Sequence, residues 1–86
     1  MVRSRKNELL VALLDPVNRK ASKVALARRL GWRMSNGEPY HVLVGRILRA
    51  LEKAKLIDVA GDEINLTKKG KEFARQLVQD GVGGTR

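Results

Sequence analysis

Between Tyr40 and Leu51 the apolar residues Tyr40, Leu43, Val44, Ile47, Leu48 and Leu51 fall at i, i+3, i+4, i+7, i+8 and i+11. Only a helix turning about 100° per residue gathers such a set onto one side. The segment is therefore committed to a helix that docks one face on a core. The opposite face carries Val42, Gly45, Arg46, Arg49 and Lys53, so the same helix presents a cationic stripe outward. Just upstream, Ser35-Asn36-Gly37 is a turn signature, and Glu38 and Pro39 are placed as first-turn residues of this helix.

Two helices are predicted before it. Ser4 caps the first, which runs to Leu14 with Leu9, Leu10, Leu13 and Leu14 at helical spacing and Pro16 closing it. Residues Pro16 to Ala21 read as a polar, basic connection. Ser22 caps a second, short helix that ends at Gly31, with Leu26, Ala27 and Leu30 on one face and Arg28 and Arg29 pointing away. Trp32, just beyond, reads as a lid on the core. After Lys55 the pattern changes to short apolar runs, Leu56 to Val59 and Ile64 to Leu66, on either side of a Gly61-Asp62 turn, which predicts a small β-hairpin. Thr67 then caps a last helix through Gln79, with Phe73, Ala74, Leu77 and Val78 as its packing face and Gly70 weakening its first turn. The expected fold class is α+β, three helices followed by a short two-stranded hairpin and a C-terminal helix. It forms one domain over residues 1–80, with a Gly-rich tail over 81–86.

Eighty-six residues provide one modest core and little room for a catalytic cleft between domains. The absence of cysteine excludes a disulfide scaffold, a thiolate zinc site and a cysteine nucleophile. His41 is the single histidine, which rules out a multi-histidine metal site. No metalloprotease, P-loop or nucleophile-elbow motif is present, and the adjacent carboxylates Asp62 and Glu63 fall at a turn tip. No enzymatic activity, catalytic residue, cofactor or metal is expected. The apolar run from Leu9 to Leu14 stops at Asp15-Pro16, well short of the roughly 18 residues of a membrane span. A cytoplasmic, nucleoid-associated location is expected, with no membrane partner.

The net charge is +9, and it is unevenly spread. Residues 1–55 hold 13 Lys and Arg against Glu8, Asp15, Glu38 and Glu52, whereas residues 56–86 hold five of each sign. An ordinary solvated surface mixes its signs along the chain, so a segregated excess points to a polyanionic partner. With only Trp32, Tyr40 and Phe73 as aromatics, the chain lacks the stacking platforms that single strands require, which favours duplex.

The element order is that of a winged helix-turn-helix domain, and particular residues carry the resemblance. Ala25-Leu26-Ala27-Arg28-Arg29-Leu30-Gly31 resembles the second helix of that fold. Leu51-Glu52-Lys53-Ala54-Lys55-Leu56-Ile57 is similar to the end of the recognition helix in MarR-type regulators. Ile64 to Glu72 is similar to their junction between strand and last helix. The resemblance covers residues 22–73. Two features depart from it: the connection from Gly31 to Pro39 is long, and the hairpin tip is short and acidic. Small-molecule sensing is not expected, because the chain lacks the terminal helices and pocket of full-length MarR-type proteins.

What the resemblance implies is a double-stranded DNA-binding protein, a small transcriptional regulator whose third helix enters the major groove by its N-terminal half. In this sequence that half comprises Tyr40, His41, Val42, Gly45, Arg46 and Arg49 as the base-reading set. The residue chemistry agrees, since Arg offers a two-pronged donor to guanine O6 and N7 or to phosphate. Gly45 allows either close approach to a ligand or close helix packing. Lys20, Lys23, Arg28, Arg29, Arg33 and Lys53 are candidate phosphate contacts, and Arg3, Arg5 and Lys6 form either an N-terminal arm or a solvated first turn. One helix in one groove spans few base pairs. A homodimer is therefore expected, assembled in solution or on the DNA through the first or last helix. Two other roles stay open: a non-sequence-specific architectural or replication-accessory DNA binder, and an RNA- or protein-binding winged helix.

Overall fold

Ser4 begins the first helix as the spacing predicts: its Oγ accepts a hydrogen bond from the Asn7 amide at 3.0 Å, and α1 spans Arg5–Ala12. The computed structural model describes residues 4–79. Arg3 and the tail over 81–86 lie outside the described residues. Leu9, Leu10 and Leu13 are fully buried.

The stretch after Pro16 is not a plain connection. Asp15 accepts from the Val17 amide, Pro16 takes the first helical position, and Pro16–Arg19 form a short helix α2. This turn folds back over the end of α1, where the last carbonyls have no partner within the helix. Asn18 Nδ2 donates to the Ala12 carbonyl at 2.7 Å, and Arg19 Nε donates to that of Leu13 at 2.8 Å. Pro16 therefore ends one helix by starting another.

Helix α3 (Lys23–Leu30) is capped by Ser22, whose Oγ accepts from the Ala25 amide at 3.1 Å. It stops where Gly31 turns left-handed at φ +73°, a conformation that costs glycine no Cβ clash. The following loop closes on itself: Tyr40 donates its amide to the Trp32 carbonyl, Met34 donates to that of Glu38, and Arg33 pairs with Pro39 as an isolated bridge. These bonds hold Glu38 and Pro39 out of the next helix, contrary to their expected place in its first turn. Helix α4 starts one residue after Tyr40 and spans His41–Lys53.

Its buried line is Val44, Leu48 and Leu51, with Leu43 and Ile47 half-buried along the flank. The hairpin follows, β1 (Ile57–Ala60) antiparallel to β2 (Glu63–Leu66), in the register Ile57 to Leu66 and Val59 to Ile64. Only the first of its two turn residues, Gly61, has positive φ, which suits a II′ turn between strands. Ile57, Ile64 and Leu66 face the core from one side of this ribbon.

Thr67 joins hairpin and last helix with one side chain: its Oγ1 accepts from the Gly70 amide at 3.0 Å and donates to the Lys55 carbonyl at 2.7 Å. Helix α5 spans Lys68–Gln79. One expectation for it is corrected, that of its packing face. Gly70 is buried against the backbone of Leu56, where a Cβ would come within 1.9 Å of the carbonyl oxygen, so the glycine permits the junction despite its poor helix propensity. The packing face is Gly70, Ala74 and Leu77, while Phe73 and Val78 are exposed. α1 packs against both α4 and α5, and α3 against α4. Among the described residues no helix is long and apolar enough to cross a membrane.

Candidate nucleic-acid interface

The outward face of α4 is set by the seam on its inward face. With Val44, Leu48 and Leu51 turned to the core, His41, Val42, Arg46 and Arg49 are exposed and Gly45 lies between them. Val42, Gly45, Arg46 and Arg49 are spaced i, i+3, i+4 and i+7, so they stack along a single side.

A residue from another helix completes this surface. The Ser22 cap makes Lys23 the first residue of α3, and its side chain runs across α4 at Gly45, the one position there without a side chain. A Cβ on Gly45 would lie 3.6 Å from Lys23 Nζ and 3.7 Å from Cδ and Cε, ordinary contact distances. Lys23, His41, Val42, Gly45, Arg46 and Arg49 together line a hollow of about 390 Å³. None of the six is acidic. Cations that share a concavity repel one another, and a polyanion placed there relieves the repulsion.

The other candidates fall elsewhere. Tyr40 is half-buried against the core and does not line the hollow. Lys53 is exposed at the C-terminal end of α4, a full turn beyond Arg49. Arg28 and Arg29 occupy the last turn of α3, at the far end of that helix from Lys23, where they suit its negative dipole end. Arg33 is exposed, and its Nη1 donates to the Gly37 carbonyl at 3.0 Å, bracing the loop before α4. Lys20 lines a second hollow with Ala60, Asp62 and Glu63, so it sits at the acidic hairpin tip. A groove of about 460 Å³ runs from Lys20 and Lys23 to Asp62 over Leu26, Leu48 and Val59, which brings that tip to the edge of the cationic face.

Sequence spacing put Lys23 among the outlying cations. Its central position comes from the crossing of α3 over α4, and the legible hint was a gap at Gly45 in an otherwise cationic stripe. Arg5 belongs to the first turn of α1, with its guanidinium 5.9 Å from the centroid of the buried Trp32 ring. That ring's Nε1 donates to Glu8 Oε1 at 3.4 Å. Compared with protein-family models, with curated proteins and with solved structures, the chain matches none.

Proposed function

We propose that this chain is a winged helix-turn-helix protein that binds double-stranded DNA in a sequence-specific way, as a small transcriptional regulator, with α4 in the major groove. The observation that carries the reading is the cationic hollow on α4. Its arginines stand on a regular helix at the width a major groove accepts, and each can fork two donors onto a guanine edge. Lys23 reaches the same face from α3 and serves as a phosphate anchor beside the groove. The hairpin takes the place of the wing, and its Asp62 and Glu63 keep the tip away from phosphate.

On this reading the protein acts on the nucleoid as a homodimer, because one recognition helix reads too few base pairs for useful specificity. Selection from a random duplex library, followed by competition against random DNA, tests the proposal. A specificity ratio of about 10³ or more is expected for a regulator. A ratio near one transfers the protein to the architectural class, and binding confined to structured RNA transfers it to the RNA-binding class. Sedimentation on the selected site is expected to find two protomers per site.

A further inference from the structure

Resting on the reading above, we propose that Val42 is a reader of pyrimidine 5-methyl groups, so that the site bound by α4 contains a thymine, or a 5-methylcytosine, beside a guanine. Val42 leaves 49% of its surface in solvent. It lines the hollow together with Lys23, His41, Arg46 and Arg49 and is the only branched aliphatic side chain there among the described residues.

Helix propensity does not account for this choice. A β-branched residue is a weaker helix former than the alanine or lysine usual at an exposed helical position, and Val42 is turned away from the core that holds Val44. What valine brings is rigidity. In a helix its χ1 is held almost entirely to one rotamer, so its two methyl groups point in a fixed direction and lose little freedom on contact. In the major groove the apolar feature that distinguishes one base from another is the thymine C5-methyl, which is met by apolar side chains.

The spacing supplies the neighbour. Arg46 follows Val42 by four residues and stands roughly 6 Å further along the same face. Successive bases of a strand are about 3.4 Å apart, so a methyl met by Val42 lies one or two base pairs from the guanine held by Arg46. The hollow then has two chemistries, donor forks for guanine and an apolar contact for the methyl. Lys23 closes its side over Gly45.

The test removes the methyl from the DNA and from the protein separately. On the site selected from the random library, each thymine is replaced in turn by deoxyuridine, which keeps every hydrogen-bonding group and deletes only the methyl. The wild-type protein and Val42→Ala are titrated on every duplex, and both are checked to be fully folded at the titration temperature. For the wild type, one uracil position within two base pairs of the Arg46-dependent guanine is expected to weaken binding about fourfold, the equivalent of burying one methyl-sized group at about 0.8 kcal/mol. Val42→Ala is expected to bind the thymine and uracil duplexes within a factor of two of each other. At the same position, 5-methylcytosine is expected to bind the wild type better than cytosine and the variant no better. Uracil sensitivity that is absent, or that persists unchanged in Val42→Ala, overturns the methyl assignment while a selected sequence and its Arg46 dependence leave base reading intact. Failure of the selection to enrich any sequence overturns both.

Discussion

Two helical glycines with the same poor propensity are expected to respond to alanine with opposite signs, because propensity acts on the helix and sterics act on its neighbour. At Gly45 an added Cβ meets only the far carbons and ammonium of Lys23 at ordinary contact distance. Gly45→Ala is thus expected to stabilise the fold by about 1 kcal/mol, the usual difference in helix propensity. At Gly70 the same Cβ drives into the backbone carbonyl of Leu56, which cannot move without disturbing β1. Gly70→Ala is expected to cost about 3 kcal/mol, the upper part of the range for overpacking. Urea midpoints of the two variants decide the matter, and a neutral Gly70→Ala would show that α5 does not rest on Leu56.

At the scale of the element, α4 carries both the core seam and the cationic face, so its rotation about its own axis fixes both. The buried line is Val44, Leu48 and Leu51, with Ile47 on the flank. Leu51→Ala is expected to cost about 2 to 5 kcal/mol, as for a filled core position, and Ile47→Ala distinctly less because part of its side chain is already in water. Equal losses in thermal unfolding would mean that the helix is turned further toward Ile47. The outward face divides in the same way. Arg46→Ala or Arg49→Ala is expected to cost roughly 1 to 3 kcal/mol on the selected site and much less on random duplex. Lys53→Ala, at the helix end, is expected to weaken both duplexes alike and reduce the salt slope by about one unit. A salt series on both duplexes separates the roles, and identical behaviour of all three variants would remove α4 from base reading.

For the whole molecule the decisive relation is between the cationic face of α3 and α4 and the acidic hairpin that adjoins it. The groove from Lys23 to Asp62 makes the tip a border of the cationic face. If like charge keeps the tip off phosphate, reversing it adds contacts. The double substitution Asp62→Lys with Glu63→Lys is expected to raise affinity for random duplex and steepen its salt dependence by about one unit for each new phosphate neutralised. The specificity ratio then falls, since phosphate contacts carry no sequence information. An unchanged salt slope would place the hairpin tip beyond reach of the DNA.

Much of this architecture was legible in the chain because it depends on neighbours in sequence. The serines at positions 4 and 22 and Thr67 cap the helices they precede, Gly31 stops α3, Gly61-Asp62 turns the hairpin, and the seam from Tyr40 to Leu51 makes a helix. Periodicity also placed Val42, Gly45, Arg46 and Arg49 on one outward face, since a helix converts spacing directly into direction. What spacing does not contain is the partner of each face. The helical turn at Pro16–Arg19 is tied back by Asn18 and Arg19, which donate to the carbonyls of Ala12 and Leu13 at the end of α1. The late start of α4 follows from loop hydrogen bonds between Trp32 and Tyr40 and between Met34 and Glu38. Phe73 and Val78 are left outside because α5 lies close enough to Leu56 to need a glycine at its contact. Lys23 joins the cationic face for the same kind of reason, two helices crossing where one has no side chain. Local hydrogen bonding and helical period are properties of a few consecutive residues. Close approach between distant segments is decided only when the chain has closed on its core.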